Sequence, residues 1–126
     1  MFGWLRVFAR SRVERAFLLD HNEFDALLAR ERSRANRAGG YVSVLHMSVP
    51  ATHVQPTDLH AITEILRHRR RATDLAGRTQ DGRIAIALPD TGRDQAEVLA
   101  ASLNKALGAR GIFSTHTICV YPETNP

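Results

Sequence analysis

Cysteine, lysine and long apolar runs are scarce in this chain, and each shortage excludes something. Cys119 is the single cysteine among 126 residues, which excludes an internal disulfide and any zinc site built from several thiolates. That usage suits a reducing compartment, and the expected location is cytoplasmic. No stretch approaches the roughly 18 apolar residues of a membrane-spanning helix. No small-residue cleavage site follows the N-terminal apolar positions, so a secretory signal is not expected. Of the 17 basic residues all but Lys105 are arginine, and the formal net charge is +4. Guanidinium groups favour planar, bidentate and stacked partners such as phosphates, carboxylates and nucleobases, although an arginine-rich genome accounts for the same composition.

What remains is an ordinary globular composition, 44% apolar and 24% charged, enough to bury one core. Residues Met1 to Leu19 alternate Phe2, Trp4, Leu5, Val7, Phe8, Val13, Phe17 and Leu18 with Arg6, Arg10, Arg12 and Arg15, and are expected to form an N-terminal amphipathic helix. It packs on the domain, joins two copies in a homodimer, or makes a peripheral contact with an anionic membrane. Residues 20 to 126 form the domain proper.

Within it, Asn22 is the expected cap of a first helix whose inner face carries Phe24, Leu27, Leu28, Glu31 and Ala35, stopped by Gly39-Gly40. Tyr41 to Val49 is a nearly continuous apolar run, as in a strand buried on both faces. After a short loop to Pro56, Thr57 or Asp58 caps a second helix with Leu59, Ile62, Ile65 and Leu66 inward. Thr73 to Thr79 and Arg83 to Leu88 flank Gln80-Asp81-Gly82, a hairpin cue. Pro89 to Gly92 makes a turn. Ala96, Leu99, Ala100, Leu103 and Leu107 then mark a third helix, and Thr115 to Tyr121 a last strand. Helices and strands interleaved around a hairpin predict an α/β (α+β) fold with a central, mostly antiparallel sheet and flanking helices.

Most isolated polar residues suggest little chemistry. His46 sits in the apolar strand as a hydrogen-bonded or site-lining histidine, and His53, His60 and His68 lack metal-ligand spacing, so no metal site is expected. Ser43, Ser48 and Ser114 have histidines nearby but no nucleophile-elbow pattern. Cys119 is expected to pack inward. The run Arg30 to Arg37 is interrupted by Glu31 and lacks stacking aromatics, so no nucleic-acid partner is expected.

Arg71-Ala72-Thr73-Asp74, five spacer residues, the hairpin turn, and then Ile84-Ala85-Ile86-Ala87-Leu88-Pro89-Asp90-Thr91 together resemble the GGDEF domain of diguanylate cyclases. In that family an R-x-x-D pair precedes the signature hairpin by the same spacing. The resemblance implies the nucleotide-cyclase-like GGDEF fold, and it also implies loss of catalysis. The signature glycines fall at Gln80 and Asp81, the acidic pair at Gly82 and Arg83, and the metal-binding aspartates near His46 and Ser48. Hard cations need oxygen ligands, and an arginine in place of a carboxylate repels them. The loop that carries guanine-recognising residues is shortened between Ser48 and Pro56. What the resemblance keeps is the family's inhibitory pair, here Arg71 and Asp74, with Arg70 and Arg78 near enough in sequence to add contacts. The expectation is a degenerate, non-enzymatic signalling domain without cofactor that binds cyclic di-GMP at this R-x-x-D site. The alternative is a protein–protein interaction or dimerisation scaffold that binds no nucleotide, with Arg71 and Asp74 a structural ion pair.

Overall fold

The computed structural model of the chain describes residues 18–49 and 56–122, apart from the side chains of 56–59. Residues 1–17 of the expected N-terminal helix lie outside the described residues. Its end does not continue as helix: Leu18–Leu19 is a short strand, β1, in parallel register with a later strand, and Leu18 is buried in the core. Two adjacent leucines gain more from pairing and burial at the sheet edge than from extending a helix, a case of tertiary context overriding local pattern.

Asp20 then starts helix α1, His21–Ala38, with its carboxylate accepting from the Glu23 amide at 2.8 Å. The cap is therefore Asp20 rather than Asn22. Asp20 and Glu23 have the spacing of a capping box, and the first-turn amides hold the Asp20 carboxyl below its ordinary range. Gly39 ends the helix in the left-handed region, φ 75°, where a side chain would be strained. Strand β2, Val42–Ser48, follows. Helix α2, Pro56–Arg69, begins on a proline, which suits a first helical position because its missing N–H has no partner to lose. Thr57 and Asp58 therefore lie inside the helix and do not cap it.

Strand β3, Leu75–Arg78, and strand β4, Ile84–Pro89, form the hairpin. It is shorter at its start than the alternation suggested, because Thr73 and Asp74 belong to the preceding turn. Helix α3, Arg93–Gly108, buries Ala96, Ala100, Leu103 and Leu107, and strand β5, Thr115–Tyr121, closes the described chain with the bounds expected. The sheet has five strands in the order β1-β3-β4-β2-β5, antiparallel at every junction except β1 to β3. The succession β2-α2-β3-β4-α3-β5 is a split βαβ arrangement.

Strand alternation sorts the core into two layers. Leu45, Met47, Ile84, Ile86 and Leu88 face α2 and α3, meeting Ile62, Ile65, Leu66, Ala100 and Leu103. Val42, Val44, Ala85 and Ala87 face α1 through Phe24. The α1 layer is thin because small residues admit the helix closely. A Cβ built on Gly77 would lie 2.8 Å from the Phe24 side chain. At edge strand β5, Cys119 is exposed rather than packed inward.

Gly77→Ala is accordingly expected to destabilise the fold by about 1–3 kcal/mol through overpacking against Phe24. Urea denaturation followed by circular dichroism measures it. A midpoint equal to that of the parent protein would contradict the close approach.

Candidate functional site

The corner between α2 and β3 is built by one carboxylate. Asp74 is 5% exposed, and a buried charge needs partners. Its Oδ2 accepts the Arg71 amide at 2.8 Å, and its own amide donates to the Arg71 carbonyl at 3.0 Å, which closes a tight turn directly after the helix. The Arg71 guanidinium lies across it, with Nη2 3.3 Å from Oδ1. The same Nη2 donates to the Pro89 carbonyl at 3.0 Å and to the Thr91 hydroxyl, and that hydroxyl donates to Pro89 O at 2.9 Å. Beneath them the buried Ser43 hydroxyl donates to the Thr91 carbonyl at 2.6 Å. Asp74 Oδ1 accepts no hydrogen bond.

Arg71 and Asp74 thus come together as the sequence pattern anticipated. They line one wall of a cleft of about 350 Å³ between the C-terminal end of α2 and the outer face of α3, with Leu88 and Leu99 as its apolar part and Arg69, Gln95 and Ser102 completing its polar part. Arg70 and Arg78 are not among its lining residues. Arg70 turns back to the carbonyls of Arg71 and Asp74, at 3.1 and 3.5 Å. Arg78 is at the far end of β3, about 13 Å along the strand from Asp74, where its Nη2 meets the Gly82 carbonyl at 3.4 Å. For Arg78, proximity in sequence does not become proximity in space, because an extended strand separates its ends quickly. The residues not anticipated as a site, Gln95 and Ser102, lie seven apart on α3, a spacing that places them on one helix face.

The hairpin tip is a separate place with different chemistry. Gly82, φ 88°, makes the turn, with its amide donating to the Thr79 carbonyl at 3.0 Å, while the Thr79 amide donates to Arg83 O at 2.8 Å. Asp81 is bound by the Thr79 hydroxyl and by Arg83 Nε at 3.1 Å, and these bonds hold its carboxyl below the ordinary range. His46 projects from β2 towards this tip, on the α1 side, between Ala85 and Thr117. Partial burial and the nearby Arg83 charge hold His46 below its usual pKa. Among the described residues no three His, Cys, Asp or Glu side chains converge on a point. Ser114 donates to Asn104 Oδ1 at 2.6 Å, and Asn104 meets His116 at 3.0 Å, so that serine joins α3 to β5 through an amide and not to a histidine. No helix of the described residues is long and apolar enough to cross a membrane.

Because His46 is held neutral in the folded state, the unfolded chain binds the additional proton as the medium acidifies below about pH 6.5. Its contribution to stability is present above that pH and is lost as pH falls towards the lower folded-state value. His46→Gln should flatten the stability profile between about pH 7 and 5. Urea midpoints taken across that interval check this, and parallel profiles for variant and parent would refute it.

The chain matches no protein-family model and no curated protein. Solved structures do match its fold. A diguanylate cyclase protein from Thermotoga maritima superposes with a TM-score of 0.74 at 20% identity, over 84% of this chain and 83% of that one. The FimX GGDEF domain from Pseudomonas aeruginosa gives 0.77 at 13% identity, over 93% and 82%. The coiled coil and GGDEF domain of DgcB from Caulobacter crescentus, solved in complex with c-di-GMP, gives 0.68 at 12% identity, over 94% and 73%. The architecture agrees with these structures, and the chain carries a domain of GGDEF-like fold.

Proposed function

We propose that this domain is a non-enzymatic receptor for cyclic di-GMP, with Arg71 and Asp74 as its recognition pair. The observation that carries the reading is Asp74 Oδ1, which pairs with the half-exposed Arg71 guanidinium but accepts no hydrogen bond, in a buried carboxylate that lines an open cleft. A carboxylate accepts from the N1 and N2 donors of guanine, and a guanidinium donates to O6 and N7. A cyclic dinucleotide supplies both edges together with phosphates. The DgcB structure, with c-di-GMP bound to a protein of the same fold, supports the ligand class.

The same reading takes the domain to lack cyclase activity, and the chemistry of the hairpin tip supports it. Condensing two GTP molecules needs carboxylates that hold Mg²⁺ against triphosphate oxygens. Here Asp81 is engaged by Thr79 and Arg83, and Arg83 and His46 occupy the neighbourhood where ligands are needed. The scaffold reading has its own support, since Arg71 already bonds Pro89 and Thr91 and so has a structural occupation.

Isothermal titration with cyclic di-GMP separates the two. The receptor reading expects saturable binding at ligand concentrations on the order of tens of micromolar or below, weakened about tenfold or more in Arg71→Ala through loss of charge-assisted bonds. Arg71→Lys should also bind weakly, because an ammonium keeps the charge but not the fork. No heat of binding, or equal affinity in both variants, would leave the scaffold. Incubation with GTP and Mg²⁺ is expected to yield no cyclic di-GMP.

A further inference from the structure

The cleft has a cation that the recognition pair does not account for. Arg71 is neutralised by Asp74, 3.3 Å away. Arg69 lines the same cleft and, among the described residues, has no ion-pair partner. Its Nε donates instead to the neutral Ser102 hydroxyl across the cleft, at 3.1 Å. With one carboxylate facing two guanidinium groups, the cleft retains one positive charge.

Its placement depends on where α2 stops. In a continuing helix, residues two apart point about 200° from each other and do not share a face. Helix α2 ends at Arg69, and the Arg71 to Asp74 turn reverses the chain at once, so both guanidinium groups reach one cleft. The bond to Ser102 sets Arg69 over the α3 wall, on the opposite side of the cleft from Asp74. It leaves the Nη groups of Arg69 available as donors. Because Ser102 Oγ accepts from Arg69, its own proton is free to be donated. Gln95, on the same face of α3, adds an amide.

We infer that Arg69, positioned by Ser102, is the phosphate-binding residue of this cleft and makes it select an anionic nucleotide over its neutral nucleoside. The inference rests on the receptor reading, with Arg71 and Asp74 taking the base and Arg69 with Ser102 taking a phosphodiester oxygen. A fork donor paired with a hydroxyl suits a phosphate oxygen. Arg70 and Arg78, the nearest alternatives in sequence, are directed elsewhere.

The test measures cyclic di-GMP affinity of the full chain at low and high salt for the parent protein, Arg69→Ala and Arg69→Lys, with thermal unfolding as a control for folding. Arg69→Ala is expected to weaken binding about tenfold at low salt and to reduce the salt dependence of the remaining affinity, since a screened charge contact has been removed. Arg69→Lys should restore the salt dependence and part of the affinity. Unchanged affinity in Arg69→Ala, alongside loss in Arg71→Ala, overturns the role of Arg69 while leaving the receptor reading intact. Weakened binding with unchanged salt dependence also overturns it, because Arg69 would then act only by holding α2 to α3. Absence of binding by the parent protein overturns both readings.

Discussion

The rest of this structure depends on satisfying one buried carboxylate. Asp74 must be partnered where it lies, and its two main partners come from the same residue, the amide and the guanidinium of Arg71. The consequences spread through the fold. Arg71 reaches Pro89 and Thr91, Thr91 is bonded from below by Ser43, and three segments distant in sequence are fixed together: the end of α2, the turn between β4 and α3, and the interior strand β2. A buried pair of this kind is weak evidence for net stability, because desolvation offsets much of the attraction, and Arg71 is itself 54% exposed on its side chain. Its stronger effect is geometric: it decides where the helix stops and where the strand begins.

That geometry separates two chemistries that lie close together in sequence. The base of the hairpin holds the Asp74 corner and the cleft. The tip holds Asp81, Gly82 and Arg83, whose side chains and backbone are occupied in making a tight turn. Among the described residues, those of the tip make no contact with the Asp74 corner, so a change at the tip leaves the base of the hairpin in place. The length of one β-strand is what keeps the two ends of the hairpin apart.

Much of the fold was legible because its signals are local. The stripe of α3, the Gly39 stop and the bounds of β5 follow from periodicity and from glycine conformation alone. The Asp20 cap was also written in the sequence, as Asp20 and Glu23 three apart, and Asn22 merely stood nearer the apolar run. Leu18 and Leu19 were not legible as a strand, since their partners Ala76 and Gly77 lie far along the chain, beyond α1, β2 and α2. Cys119 reads as inward by alternation, yet alternation does not tell which face of an edge strand a helix covers. The R-x-x-D pair was found by spacing. Its neighbours were not, because sequence distance overstates the reach of Arg70 and Arg78 and hides α3, whose Gln95 and Ser102 arrive only through packing.

The structural role of Arg71 is compatible with the ligand-binding role proposed for it. A guanidinium has five N–H donors in a rigid fork, and the bonds to Pro89 and Thr91 all use Nη2. Among the described residues no hydrogen bond occupies Nη1 or Nε. The bonds already made restrict the side chain to one orientation, and the entropy of ordering it is lost on folding and not on binding. The same ion pair that closes the corner therefore holds the fork in one orientation, beside an Asp74 Oδ1 that accepts no hydrogen bond, on one wall of the cleft.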